Sequence, residues 1–478
     1  IGPPAEAMDR MGGKVAARRE ATAAGVPVVP GTLHPVGSAE ELQALVHEYG
    51  LPIAIKAVAG GGGRGFRVVH DAAELAAAFA GARREAELGF GNAEVYVEKY
   101  LTDPRHIEIQ MLADAHGQVI HLGERECSVQ RRHQKLIEEC PSPAIDAELR
   151  ERMGRAAVEL TRAVGYCSAG TLEFVLQDGA FFFLEMNTRI QVEHTVTEMV
   201  TGVDLVQAQI RIARGEPLWL RQADITWRGH AIECRVNAED PAAGFRPALG
   251  TLGEYREPAG FGVRVDSGVY AGYRIPQYYD SLLAKLIAWG ADRSEALRRM
   301  QRALADYRIT GVAHTLPFHQ LALAHPVFRA GDATVNFIPQ HLAGQLAQLE
   351  PQPPSAEPAA AEIARHFAVE VNGQRFAVRI AEQTGNGVRP VQPARRPPTA
   401  RRSGAVASSD GITSGLQGTV SAVVVAPGQA VEAGQVLFVI EAMKMENEVS
   451  APHSGTINSV HVGVGQAVEP GSILATFQ

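Results

Sequence analysis

Four cysteines, at positions 127, 140, 167 and 234, are all that this 478-residue chain carries, and no two of them form a Cys-x-x-Cys pair. That spacing signals neither a zinc site nor a disulfide framework and suits a reducing compartment. No apolar run approaches the length of a membrane span, so no membrane partner is expected. Positive charge is not in excess either. The 45 Lys and Arg against 53 Asp and Glu give a net charge of −8, without the basic footprint of a nucleic-acid binder. The first residue is Ile1 rather than Met, from which we expect the start of the gene product, and any targeting segment with it, to be missing. The expected compartment is the cytoplasm, with the mitochondrial matrix left open. What the chain has is length: it exceeds a single core and implies two to four domains.

Its densest chemistry lies at residues 171–194. Apolar runs Phe174–Leu176 and Phe181–Leu184 flank Gln177-Asp178-Gly179, which reads as a β-hairpin. A two-residue turn would set Glu173 and Glu185 on opposite faces. A three-residue loop with Gly179 in a left-handed bulge position sets both on one face, with Asn187 in phase. Two carboxylates and an amide on one patch suit Mg²⁺ holding nucleotide phosphates. Solvated hairpin ends would account for Glu173 alone, but leave Asn187, Arg189, Gln191, Glu193 and His194 clustered without a reason.

Earlier in the chain, Ala5–Ala24 reads as one helix closed by Gly25 and Pro27, with Lys14 by default a solvated helix lysine. Strand, glycine loop and strand follow: 52–58 with Lys56, the run Gly60 to Gly65 around Arg64, and 66–69. The loop lacks the Gly-Lys-Ser/Thr ending of a Walker P-loop. Glycines between strands let backbone N–H groups close over phosphates, and Lys56 reaches the same place as a point charge. Segments 95–100 and 106–111 alternate polar with apolar. Residues 123–140 turn densely polar and read as an anion-handling loop, and Asp146–Val164 as an amphipathic helix stopped by Gly165. Residues 197–214 read as helix, 229–290 as β-rich, and 294–306 as helix.

Composition shifts at 345–362 and 385–411, both rich in Pro and read as linker, with a hairpin at 367–380 between them. The last 61 residues hold a repeat: 418–437 matches 455–474 at an offset of 37. Two such halves imply a small pseudo-symmetric β-barrel or sandwich. Met443-Lys444-Met445 falls between them at a hairpin tip, where a lysine between methionines reads as a presented modification site.

Together these motifs resemble the biotin-containing α subunits of acyl-CoA carboxylases, which join a biotin carboxylase of ATP-grasp fold to a biotinyl carrier. The resemblance covers 1–342 and 412–478. It rests on Gly-Gly-Gly-Gly-Arg-Gly, Gln-Arg-Arg-His-Gln-Lys, Glu-Met-Asn-Thr-Arg-Ile-Gln-Val-Glu-His and Ala-Met-Lys-Met in family order. It implies an α/β ATP-grasp domain over 1–215, a β-rich biotin carboxylase C-terminal subdomain over 216–344, a linker over 345–411 and an all-β biotinyl/lipoyl-like barrel over 412–478. It further implies biotin on Lys444, and ATP phosphates held by Lys14, Lys56 and the loop of Gly61, Gly62, Gly63, Arg64 and Gly65. Adenine or ribose would meet Glu98, Lys99 and His106, with His133 near the nucleotide. Mg²⁺ or Mn²⁺ would sit on Glu173, Glu185 and Asn187. Bicarbonate would be seated by Lys135, Arg189, Gln191 and Val192. Glu193 would be the general base, and Arg235 would stabilise the biotin enolate.

The implied reaction is ATP-dependent carboxylation of carrier biotin by bicarbonate through carboxyphosphate. Bicarbonate is a weak nucleophile, so attack needs a placed carboxylate and cations screening the anions. The implied partners are further copies in an oligomer, a biotin protein ligase and a separate carboxyltransferase (β) subunit. Four departures stand out: the family's N-terminal subdomain is expected to be missing, Thr195 stands where Val-Glu-His is usually followed by Pro, and Phe245–Gly250 and Gly415–Gly418 differ from the usual runs. The alternatives are a non-catalytic biotin carrier or another ATP-grasp ligase. Treated as flexible coil, the linker of roughly 65 residues spans on the order of 45 Å, enough for a carrier that visits two active sites.

Overall fold

The computed structural model describes residues 1–59, 65–350, 363–371, 374–382, 411–442, 445–469 and 471–478. An eight-stranded antiparallel sheet runs through the body in the order Val263–Ser267, Leu282–Gly290, His230–Asn237, Gln134–Cys140, Val119–Arg131, Arg105–Ala113, Ser168–Gln177, Ala180–Asn187. No seam divides it: Gln134–Cys140 pairs directly with His230–Asn237. Helix Ala147–Ala163 lays Met153, Ala157 and Leu160 against Ile107, Ile109 and Phe174 of the sheet. Its start is fixed by Asp146, whose carboxylate accepts from the Leu149 N–H at 2.8 Å. Helix Arg293–Asp306 covers the other end with Met300 and Leu304, packed with Leu286, Cys234 and Phe318. A separate three-stranded sheet, Phe66–Val69, Ile53–Ala57, Val95–Lys99, forms a smaller lobe with its own core.

Four local expectations change. The N-terminal helix is two, Ala5–Gly12 and Lys14–Ala23, because Gly13 is extended (φ −91°, ψ 126°). Lys14 thereby opens the second helix instead of sitting in the middle of one. The 197–214 helix is also two, His194–Thr201 and Leu205–Ala213, parted at Gly202 with φ +74°. The polar stretch 123–140 is not a loop but two strands joined at Arg132-His133, both with positive φ. The alternating charges there lie along strands.

The fourth change concerns the central hairpin. Its turn has two residues, Asp178 (φ 52°) and Gly179 (φ 75°), with Gln177 opposite Ala180. The extra residue sits farther down: a bulge at Leu184 moves the register from Phe174↔Phe183 to Glu173↔Glu185. The carboxylates share a face because of that bulge rather than a three-residue loop.

The C-terminal unit is two four-stranded sheets. The repeat is visible strand for strand, Gly418–Val423 with Gly455–Val460 and Ala430–Val431 with Ala467–Val468. Each half lends its short strand to the other: Ala430–Val431 pairs with Gly455–Val460, and Ala467–Val468 with Gly418–Val423. Val420, Leu437, Ile440, Ile457 and Leu474 fill the core between them. Strands Ile363–Val371 and Gln374–Glu382 pair antiparallel where the 367–380 hairpin is expected, and extend beyond it. The expected linker start at 345 falls inside helix Ala343–Leu346, whose Leu346 is buried in the core of the body. Residues 351–362, 372–373 and 383–410, the glycine run 60–64 and Lys444 lie outside the described residues. Among the described residues, no helix is long and apolar enough to cross a membrane.

Candidate active site

Between the small lobe and the large sheet lies a cleft of about 1780 Å³. Lys14, Lys56, Gly65, Glu98, Lys99, His106 and His133 line one end of it. Lys135, Glu173, Glu185, Asn187, Arg189, Gln191, Val192, Glu193 and Arg235 line the remainder. Every described residue that the sequence singles out for the site is therefore in one place. Gly61, Gly62, Gly63, Arg64 and Lys444 lie outside the described residues.

The centre is a buried charge network. Lys135 Nζ donates to Glu173 Oε1 at 2.8 Å, to Glu193 Oε1 at 2.7 Å and to Glu108. Glu193 Oε2 accepts from Arg235 Nη2 at 2.9 Å, and Arg235 Nε donates to Glu138 Oε1 at 2.6 Å. Burial pushes the Glu193 carboxyl up, but Lys135, Arg235 and Arg125 overcome it and hold it well below the carboxylate range. Glu173 Oε1 also accepts from Asn187 Nδ2 (2.9 Å) and Gln191 Nε2 (2.8 Å), while His106 Nε2 lies 3.0 Å from its Oε2. Burial opposes the Glu173 charge, yet His106 and Lys135 keep it well below the usual range. Glu185 moves the other way, raised by burial and by Glu173 facing it.

At the lobe end Glu98 accepts from Arg18 Nη1 at 2.6 Å and from Lys56, so its carboxylate is held by two cations. Lys99 Nζ donates to the carbonyls of Gly50 and Leu51. Burial lowers both Lys14 and His133. Arg189 is exposed, and the Val192 carbonyl accepts from Lys285 Nζ at 2.9 Å.

Sequence reasoning missed the residues behind this surface. Arg125 is fully buried and donates to Glu108, Gln110, Thr171, Thr197 and Gln191, the last at 3.0 Å. Glu108 and Gln110 stood in plain alternation, but the pattern alone does not say whether a polar face meets water or another polar face. Two residues of the C-terminal unit, Glu441 and Asn447, line the same cleft. They belong to paired strands Val436–Ala442 and Met445–Ser450, between which Met443 and Lys444 fall in the sequence. Gly415 lies against the Arg246 guanidinium.

A cleft with a glycine-joined strand pair on one wall and facing acidic strands of a larger sheet on the other defines the ATP-grasp class of ligases. Residues 13–221 match the carbamoyl-phosphate synthase L chain ATP-binding domain, 233–340 the biotin carboxylase C-terminal domain, and 406–477 the domain of biotin-requiring enzymes. One subunit of the pyruvate carboxylase of Methanothermobacter thermautotrophicus is 53% identical over 344 residues, 72% of this chain and 70% of that one. Biotin carboxylase of Nostoc is 55% identical over 339 residues, 71% of this chain and 76% of that one. Among solved structures, the biotin carboxylase domain of Hydrogenobacter thermophilus 2-oxoglutarate carboxylase, with MgADP and bicarbonate, superposes with a TM-score of 0.70. It is 45% identical and covers 73% of this chain and 77% of its own. The chain belongs to the biotin carboxylase family and is a ligase that carboxylates biotin at the expense of ATP. It works with biotin, ATP and Mg²⁺. The donor set fits the cation: Glu173 and Glu185 face each other as hard oxygen ligands with the Asn187 amide beside them.

Proposed function

We propose that the cleft works as a nucleotide end and a biotin end sharing one base. Lys14, Lys56 and the 61–65 loop hold the phosphates, and Glu98, Lys99, His106 and His133 flank base and ribose. Glu173, Glu185 and Asn187 hold the divalent cation, which screens the phosphate charge when bound. Lys135, Arg189, Gln191 and the Val192 backbone seat bicarbonate. Glu193 takes its proton as a bicarbonate oxygen bonds to the γ-phosphorus and ADP departs. Carboxyphosphate then divides into CO₂ and phosphate. Arg235 donates to the ureido oxygen of bound biotin, whose ureido nitrogen would give its proton to the released phosphate as it takes up the CO₂.

The observation that carries this reading is Glu193 gripped between Lys135 and Arg235. Both cations depress its basicity. Bicarbonate on Lys135 and a ureido oxygen on Arg235 draw those N–H groups away, so substrate binding raises the basicity of Glu193 as it is needed. Glu441 and Asn447 at the cleft support delivery of Lys444 by this chain's own carrier. A separate carboxyltransferase then receives the carboxyl group, and a biotin protein ligase loads Lys444.

The test uses the full chain co-expressed with a biotin ligase. Glu185→Gln lowers bicarbonate-dependent ATP turnover by about 10²-fold or more, with the biotin content by intact mass unchanged. Lys444→Arg loses the added biotin mass and still turns over free biotin. Near-normal turnover in Glu185→Gln at limiting Mg²⁺, or labelling that survives Lys444→Arg, overturns the assignment.

A further inference from the structure

Behind Arg235 stand two glutamates with no assigned role. Glu138 and Glu233 are cross-strand partners on Gln134–Cys140 and His230–Asn237, and neither is exposed at all. Side chains so placed start from Cβ atoms roughly 5 Å apart on one face of the sheet. Glu138 Oε1 accepts from Arg235 Nε, but Glu138 Oε2 has no hydrogen-bond partner. Glu233 Oε2 accepts from the Thr195 hydroxyl, but Glu233 Oε1 has none. Each carboxyl thus keeps one orphaned oxygen, and the two residues stand directly opposite each other across the strands.

Buried polar atoms are rarely left without a partner, and two facing carboxylates in a dry site do not both ionise. One proton placed between the orphaned oxygens removes both difficulties. We propose that Glu138 and Glu233 share a single proton, Glu233 as the acid donating to Glu138 Oε2, and that this pair is a positioning element for Arg235. Thr195 sets which Glu233 oxygen is spoken for. This gives a use to a residue that breaks the expected Val-Glu-His-Pro run, since proline has no hydroxyl to donate.

Burial and then the Glu138 charge push Glu233 up to about 8. Burial pushes Glu138 up to about 7 against the opposing pull of Arg235. The two titrate as a pair. The charged groups around them are Lys135 on the strand of Glu138, Arg235 on the strand of Glu233, Lys285 on the next strand opposite Arg235, Glu193 beyond the guanidinium, and His194 and Glu198 on the covering helix. With the proton in place the pair carries one negative charge, and Arg235 divides its N–H groups between Glu138 and Glu193. Loss of the proton doubles the charge behind Arg235 and pulls the guanidinium away from the cleft. Biotin carboxylation therefore falls on the alkaline side while nucleotide binding does not. The positioning half rests on the role proposed for Arg235; the shared proton does not.

The experiment has two arms on the full chain. The infrared difference spectrum of parent minus Glu233→Gln at neutral pH shows a carboxylic-acid carbonyl band that shifts in D₂O and bleaches as pH rises through about 8. The subtraction removes any other protonated carboxyl. In the second arm, Glu233→Gln, whose amide N–H replaces the acid, keeps kcat for free biotin near the parent value at neutral pH and loses the alkaline limb. Glu233→Ala, which leaves Glu138 Oε2 unpaired, lowers kcat about tenfold with KM for ATP unchanged. No acid band in the difference spectrum overturns the shared proton. A band with an unaltered alkaline limb overturns the positioning role. Absence of biotin-dependent turnover in the parent overturns the reading of Arg235, and the spectrum alone then decides the proton. If Glu233→Gln does not fold, Thr195→Val takes its place: its lost hydroxyl must shift the acid band, and an unshifted spectrum overturns the pair.

Discussion

Burial favours the acid form of Glu126. Burial pushes its carboxyl up to about 7, against the hydroxyls of Ser128 and Ser142 that donate to its two oxygens and Arg105 nearby. A folded-state value above the unfolded one adds stability that is complete below the ordinary carboxylate range and lost as pH rises to about 7. The window of some 2.5 pH units bounds that loss at about 3 kcal/mol. Thermal midpoints should decline across it in the parent and decline less steeply in Glu126→Gln, where Glu138 and Glu233 still contribute. A parent-like slope in the variant would show that Glu126 is ionised in the fold. Glu139 has the opposite sign: His230 and Arg293 overcome burial and bring it to about 2, so its stability is present at neutral pH and lost as pH falls toward that value. At this scale the sequence revealed the cleft surface well. Motif positions such as Lys56, Lys135, Glu185 and Glu193 converge as expected. It concealed Arg125, Glu138 and Glu233, because a charged side chain on a strand reads as solvated until the covering element is known.

Elements placed these residues by means the sequence shows only in part. The 171–194 hairpin was legible as a hairpin, and so was the shared face of its carboxylates. The bulge at Leu184 was not, since Phe181 to Leu184 is an unbroken apolar run in which no residue advertises itself as extra. The two glycines that split expected helices differ in the same way. Gly202 takes a left-handed conformation and marks a helix end, whereas Gly13 is merely extended. The hairpin also supports a test of what holds its register. Gly179 needs φ +75° and a Cβ there meets nothing within 4 Å, so Gly179→Ala costs backbone strain alone, about 1 kcal/mol. The urea midpoint should fall accordingly while KM for MgATP stays put, because the Glu173↔Glu185 pairing is set at the bulge and not at the turn. A raised KM would transfer that role to the turn.

The whole molecule combines a body whose large sheet has no internal break with a carrier that meets it at the cleft. Sheet strands from 105–187 and 230–290 hydrogen-bond as one surface, so Lys135, Glu173, Glu185, Asn187 and Arg235 keep fixed spacing. The carrier is joined to this body through Pro- and Arg-rich sequence, and Glu441 and Asn447 at the cleft are where it meets the site. Limited trypsin digestion should release the carrier first, by cuts at Arg395, Arg396, Arg401 or Arg402, leaving a body of near-parent thermal midpoint. Protection of those arginines while other sites are cleaved would mean a carrier fixed to the body, incompatible with travel to a second active site. The exchange of short strands inside the carrier has its own consequence. Because each half of the repeat completes the other's sheet, covalent continuity between the halves is dispensable once they have met. A backbone nick in the Pro452–Ser454 turn should leave two fragments that copurify, and separately made halves should complement each other when mixed, although neither would hold a structure alone.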